Sequence, residues 1–282
     1  MLMNWMEVEQ LVRLALSEDI GYRDITTENL IGPDLRSMGV FYAKQEGIVC
    51  GIDVAERVFS ILDPTISFNI LKEDGDLIRE GEEVARITGP TRTLLTGERV
   101  ALNFLQHMSG IATKTNDLVD RIRHFPVKVV DTRKTTPGLR ALEKYAVRIG
   151  GGSNHRFGLF DGVLIKDNHI RAAGGITEAI QVLQRRISHL SKIEVEVENL
   201  EQLREALSAG ADVVLLDNME PDMMREAVKI NAGRAILEAS GGITQDTLVE
   251  VAKTGVDLIS IGGLTHSANA LDISFNIISL KD

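Results

Sequence analysis

The 282-residue sequence has one cysteine, one tryptophan and three tyrosines, and aromatic residues make up only 4% of it. A single thiol, Cys50, excludes an intrachain disulfide and any cysteine cage around zinc. Its expected place is beside a strand, packed as a small buried hydrophobe. With so few aromatics, the stacking platforms that hold single-stranded nucleic acid have few residues to be built from. No apolar run approaches the roughly 20 residues that cross a bilayer. The opening stretch MLMNWMEVEQ lacks the basic residues that begin a signal peptide. The expectation is a cytoplasmic protein with no membrane and no nucleic-acid partner. Also missing are GxxxxGK[ST] and GxGxxG, which argues against nucleotide hydrolysis and a Rossmann cofactor. No His/Cys spacing suits a transition metal.

What is present is an uneven distribution of charge. The chain carries a net −10. Between Arg121 and Arg171, however, eleven Lys and Arg face only four Asp and Glu. This basic island, threaded with glycines and a proline, points to a small, strongly anionic ligand; a long polyanion would be repelled by the rest of the chain.

Apolar spacing divides the sequence into two parts. Trp5, Val8, Val12 and Leu16 recur at helical intervals, and 17–33 reads as polar and turn-rich. Short strand-like runs follow at 39–43, 48–50, 67–71 and 84–88, interrupted by a helix near 54–61, as in a small antiparallel sheet with a helix on one face. A helical pattern runs from Leu94 to Arg121, with Gly110 as a candidate break. Six apolar strand candidates then alternate with helices, at 127–130, 163–165, 193–197, 213–216, 235–237 and 258–261. Six βα units with uncharged strand interiors predict a parallel sheet covered by helices. Asp131, Lys166, Glu196, Asp217, Ser240 and Gly262 fall at or just beyond strand C-terminal ends. In a barrel these converge on one mouth; in an open sheet only those at the switch point would meet. The pattern favours the barrel.

Arg133, Lys134, Arg156 and Lys166 form the cationic set, since guanidinium groups pair with carboxylates in a planar, bidentate way. Arg140, Lys144 and Arg148, spaced by four, read instead as a solvated helix face. Gly150–Gly152 leads into Ser153, Asn154, His155 and Arg156, a loop whose backbone can approach a ligand closely. There His155 is either a donor to an anion or a structural turn residue, while His169 reads as fixing the loop after a strand. Glu194, Glu196 and Glu198 alternate along one strand face. Near a barrel mouth, Glu196 and Asp217 could hold Mg²⁺ through water when the substrate brings phosphates. Ser240-Gly241-Gly242 and Gly262-Gly263-Leu264 are glycine-rich strand-to-helix turns of the kind that bind phosphate.

These motifs together resemble the quinolinate phosphoribosyltransferase family. The resemblance rests on EDIGYRDITT, GERVALNFLQHMSGIAT, DTRKTTPGLRALEKYAVRIGGGSNHRFGLFDGVLIKDNHI, EVEVEN, ASGGI and GGLTHS, and extends over nearly the whole chain. It implies an α/β fold of two domains: an N-terminal α/β sandwich over 1–110 and a C-terminal incomplete parallel α/β barrel over 111–282. This is the type II phosphoribosyltransferase fold, whose C-terminal helix can pack back on the first domain. It further implies transfer of phosphoribose from phosphoribosyl pyrophosphate to quinolinate, with decarboxylation, in NAD biosynthesis. Lys134, Lys166, Glu196 and Asp217 would be catalytic. Arg99, Thr132, Arg133, His155 and Arg156 would complete the substrate pocket, with Ser240, Gly241, Gly242, Gly262, Gly263 and Leu264 on the phosphate. Mg²⁺ would assist, and a homodimer would bring Glu98 and Arg99 into the neighbour's site. Ser153 departs from the histidine common at its position. The rival readings are a same-fold paralogue acting on another anion and a non-catalytic phosphometabolite-binding protein. The second need not keep both Glu196 and Asp217.

Overall fold

The computed structural model describes residues 3–279, so the first two residues of the N-terminal stretch lie outside the described part. In chain order the elements are α1 (Trp5–Ile20), α2 (Ile25–Leu30), β1 (Arg36–Ala43), β2 (Gly47–Ile48), α3 (Ile52–Leu62), β3 (Ser67–Ile70), β4 (Leu77–Ile78), β5 (Glu83–Pro90) and α4 (Thr91–Ile122). There follow β6 (Lys128–Val130), α5 (Arg140–Ile149), β7 (Val163–Ile165), α6 (Asp167–Ala173), α7 (Ile176–Arg186), β8 (Ile193–Val197), α8 (Leu200–Ala209) and β9 (Val213–Asp217). The last are α9 (Pro221–Asn231), β10 (Ile236–Ser240), α10 (Leu248–Ala252), β11 (Leu258–Ser260), α11 (Gly263–His266) and β12 (Ile273–Ser279). The chain forms two compact units. One comprises 1–116, 136–151 and 264–282; the other comprises 117–135 and 152–263.

The first unit is built on an antiparallel sheet in the order β12-β1-β5-β3. Val8, Val12 and Leu16 form the buried stripe of α1, whose N-terminus is capped by Asn4 accepting from the Met6 N–H at 3.2 Å. The stretch 17–33 is more ordered than its polarity suggests. Asp24 accepts the Thr27 N–H at 2.9 Å and starts the short α2. Gly110 does not interrupt α4. A Cβ there would lie 2.0 Å from the Asn269 carbonyl oxygen, so the glycine permits a close crossing.

Two expectations change here. The final element is a strand rather than a helix. Ile273 and Phe275 are buried on alternate positions, and β12 pairs along β1 from Ala43↔Ile273 to Ser37↔Ser279. Its two-residue period suits a sheet edge, and the Phe275 ring sits 4.8 Å from that of Phe41. The helix face of Arg140, Lys144 and Arg148 is likewise not uniformly solvated. Lys144 is buried on α5 together with Glu143, which accepts from His107 Nε2 at 3.0 Å and from the Thr136 N–H at 3.1 Å.

The second unit is a six-stranded parallel sheet in the order β6-β11-β10-β9-β8-β7. Five strands are neighbours in sequence order, and β6 joins the far side of β11 instead of β7. This circular order with one gap is that of an incomplete barrel. Beside the gap, the Ser153 backbone bridges β6: its N–H donates to Val129 O at 2.9 Å, and its carbonyl accepts from the Asp131 N–H at 3.1 Å. The contribution of residue 153 there is backbone, which the side chain does not alter. Aspartates fix the strand starts. Asp212 Oδ2 accepts the Ile193 N–H at 2.8 Å, and Asp257 Oδ2 accepts the Leu237 N–H at 2.8 Å. Register is thus set at the N-terminal ends, leaving the C-terminal ends to carry other side chains. The strand interiors are not uncharged as expected, because Glu194 and Glu238 are buried within them.

Candidate active site

The strand C-terminal ends of the second unit surround a cavity of about 470 Å³. It is lined by Thr132, Arg133 and Lys134 after β6; His155 and Arg156; Lys166 after β7; Glu196 on β8; Asp217 and Asn218 at the end of β9; and Glu238, Ser240, Gly241 and Gly242 from β10 onward. Leu164, Leu215 and Ser260 complete the wall. Arg133, Lys134, Arg156, Lys166, Glu196 and Asp217, picked out from separate stretches of sequence, therefore face one space.

Arg133 and Arg156 stand close enough that, after burial, the Arg133 charge is the main influence pushing the Arg156 guanidinium below its ordinary value. Two like charges held together in a part-buried cavity make a strong anion site. Arg156 is aimed by its Nη1, which donates to Gly162 O at 3.0 Å. The loop before it hangs on Asp131. This fully buried carboxylate accepts from Asn154 Nδ2 at 2.6 Å and from the His155 N–H at 2.9 Å. Asp131 is thus a strut, and it does not line the cavity. Lys166 pairs with Glu196 across β7 and β8. His169 accepts the Lys166 N–H on Nδ1 at 3.0 Å, which gives it the loop-fixing part expected of it.

Exposure along β8 grows toward the mouth: Glu194 is buried, Glu196 half-buried and Glu198 exposed. On the next strand Asp217 accepts from Asn218 Nδ2 at 2.8 Å. The turn after β10 needs glycine. Gly241 and Gly242 take φ of 97° and 59°, and a Cβ on Gly241 would lie 2.2 Å from Asn218 Oδ1. Asn218 itself is left-handed at φ 53° and donates its N–H to Ser240 O at 2.9 Å. Gly262 and Gly263 lie beyond β11 but do not line this cavity, and Leu264 is fully buried within the first unit. Glu98 and Arg99 belong to α4 in the first unit, where burial pushes the Glu98 carboxyl up.

Sequence reasoning did not single out Glu238, Asn218 or Ser260. The signal for Glu238 was available: it is the one charged residue in the strand ILEAS. Its carboxyl lies 3.7 Å from His155 Nε2, which contacts Glu194 Oε2 at 3.0 Å. One ligand-type atom from each of the three falls within 4.8 Å of the others. His155 engages both ring nitrogens, since Nδ1 accepts the Arg156 N–H at 2.7 Å. The hydrogen on Nε2 then points at Glu194, which sets the tautomer.

A parallel α/β barrel with paired arginines, a lysine and two carboxylates at its mouth is the framework of an enzyme acting on small anionic substrates. The family profile described as quinolinate phosphoribosyl transferase, C-terminal domain, matches residues 111–276, and the corresponding N-terminal domain profile matches 24–109. The chain belongs to the quinolinate phosphoribosyltransferase family. It is 47% identical over 275 residues to the probable nicotinate-nucleotide pyrophosphorylase [carboxylating] of Bacillus subtilis, covering 98% of this chain and 95% of that protein. A similar relative from Synechocystis is 44% identical, covering 97% of this chain and 94% of its own length. The structure of the nicotinate-nucleotide pyrophosphorylase from Francisella tularensis superposes with a TM-score of 0.93 at 43% identity, covering 97% of this chain and 96% of that one.

Proposed function

We propose that the cavity of the second unit carries out the family's reaction with the residues that line it. The protein is a phosphoribosyltransferase of NAD biosynthesis: phosphoribose passes from phosphoribosyl pyrophosphate to quinolinate, giving nicotinate mononucleotide, pyrophosphate and CO₂. In this reading Arg133, Lys134, Arg156 and Lys166 bind the two ring carboxylates. Bidentate guanidinium contacts hold the ring so that its nitrogen faces the ribose. Glu196 and Asp217 meet the ribose hydroxyls, and Ser240, Gly241 and Gly242 offer backbone N–H groups to the 5′-phosphate. The single observation that carries this assignment is the convergence of the Arg133–Arg156 pair and the Glu196–Asp217 pair on one cavity.

Glu196 and Asp217 also fit a magnesium ion. They present hard carboxylate oxygens from adjacent strands to the same cavity, and the substrate's phosphates would supply further oxygens. A bound Mg²⁺ would neutralise charge on the departing pyrophosphate. The residues of the chain do the rest. Lys134 and Lys166 stabilise developing negative charge, and the arginines keep the ring in line with the ribose carbon. Bond formation at nitrogen leaves the ring positively charged, so it can take up the electron pair released when the adjacent carboxylate leaves. The working form in this reading is a cytoplasmic homodimer, in which Glu98 and Arg99 complete the neighbour's site. The test is incubation with quinolinate, phosphoribosyl pyrophosphate and Mg²⁺. Nicotinate mononucleotide should appear, and nicotinic acid in parallel should give none. Equal turnover of nicotinic acid would refute the dicarboxylate pocket.

A further inference from the structure

Loss of CO₂ leaves an electron pair on the ring carbon next to the charged nitrogen, and that carbon must receive a proton before product can leave. We infer that Glu238 is the acid that supplies it, an assignment that rests on the quinolinate reading above. The residues lining the cavity narrow the choice. Arg133 and Arg156 do not release protons under ordinary conditions. Lys134 and Lys166 are required as charges opposite the carboxylates, and Lys166 is already paired with Glu196. His155 uses Nδ1 to accept from the Arg156 N–H and directs Nε2 to Glu194, so its ring serves the framework.

Glu238 differs from all of these. It lines the cavity yet is only 1% exposed, and its Oε1 has no hydrogen-bond partner among the described residues. Glu194 Oε1 is likewise buried without a hydrogen-bond partner among the described residues, so two carboxyls meet at the cavity wall, largely shielded from bulk water. A carboxyl enclosed in this way, with the Glu194 charge beside it, is costly to ionise. Burial, and then the Glu194 charge, pushes the Glu238 carboxyl up to about 7, with His155 pulling the other way. An acid poised near neutrality suits proton transfer at working pH.

The step balances. The ring nitrogen forms its bond to the ribose carbon as the carbon–oxygen bond to pyrophosphate breaks, with that pair leaving on pyrophosphate. The bond from ring carbon to carboxylate then breaks; CO₂ departs and the pair stays on the carbon. The Glu238 O–H gives its proton to that pair and becomes a carboxylate, which takes a proton back from solvent before the next turnover.

Glu238→Gln fills the same volume with no proton to give, and Glu238→Asp keeps the acid. Each purified full-length variant is assayed for nicotinate mononucleotide with quinolinate, phosphoribosyl pyrophosphate and Mg²⁺, and its quinolinate Kd is measured by calorimetry. The expected result for E238Q is a loss of tenfold or more in kcat with Kd within threefold of the parent, and for E238D at least tenfold more turnover than E238Q. Glu238→Met serves as a second non-ionisable variant if the amide disturbs folding. A kcat loss below tenfold in E238Q, a matching loss of quinolinate affinity, or equal impairment of E238Q and E238D would overturn the acid role. A parent that makes no nicotinate mononucleotide would overturn the substrate assignment and the acid role with it. An active parent with an active E238Q would overturn the acid role alone.

Discussion

Glu238 should destabilise the folded protein as pH rises, and E238Q should relieve this. The carboxyl ionises near its ordinary 4.5 in the unfolded chain but holds its proton up to about 7 when folded. Below the lower value both states are protonated and no penalty exists. Above the higher one the folded state must keep a buried anion that the unfolded chain places in water. Stability contributed by the protonated form is therefore lost as pH climbs through this window. At about 1.4 kcal/mol per unit, the full penalty is about 3 kcal/mol. Thermal melts of the parent and E238Q at pH 5 and pH 8 measure it. Part of the penalty is already present at pH 5, so the E238Q advantage should widen by about 5 °C between the two, taking about 2 °C per kcal/mol for a chain of this size. An advantage that stays constant to within 1 °C would refute the burial argument. E238Q would then be the more stable and the less active protein at once, as expected where a strained group serves chemistry.

Other outcomes follow from the same geometry. Arg133→Ala or Lys166→Ala should lower turnover by about a thousandfold or more, a typical scale for lost electrostatic stabilisation, with the melting transition unmoved; near-normal activity in either would undo the site assignment. Gly241→Ala drives a methyl group toward Asn218 Oδ1 at a positive φ, so the KM for phosphoribosyl pyrophosphate should rise about tenfold while quinolinate affinity holds, consistent with about 1 kcal/mol or more of local strain. Cys50 is buried, and burial pushes its thiol up. It should resist thiol reagents in the native protein and react promptly in guanidinium chloride; rapid native labelling would contradict that packing.

Periodicity was enough to place the barrel strands, because parallel strands buried on both faces read as short apolar runs; β7 and β8 have the bounds their sequence suggests. Strand-end polarity likewise pointed to Lys166, Glu196, Asp217 and Ser240, which share the cavity. Asp131 carried the same signal and turned inward, since a carboxylate beside two backbone or amide donors is better satisfied as a strut than as a ligand contact. Lys144 was hidden for a related reason, whereas Glu238 stood out as the one charge in its strand. Charge in a sequence suggests solvent, and only the three-dimensional packing reveals a buried partner. The last strand was unreadable because its pairing partner lies at the other end of the chain, beyond the reach of any local window.

That pairing has a consequence for how the protein is made. β1 emerges from the ribosome early, but β12, which covers its edge and brings Phe275 onto Phe41, is synthesised only after every strand of the second unit. The antiparallel sheet is therefore finished only once the whole of the second unit has been made. A chain cut short before Ile273 would lose the edge of its first unit while retaining every strand of the second, leaving β1 as an open template for pairing with another chain.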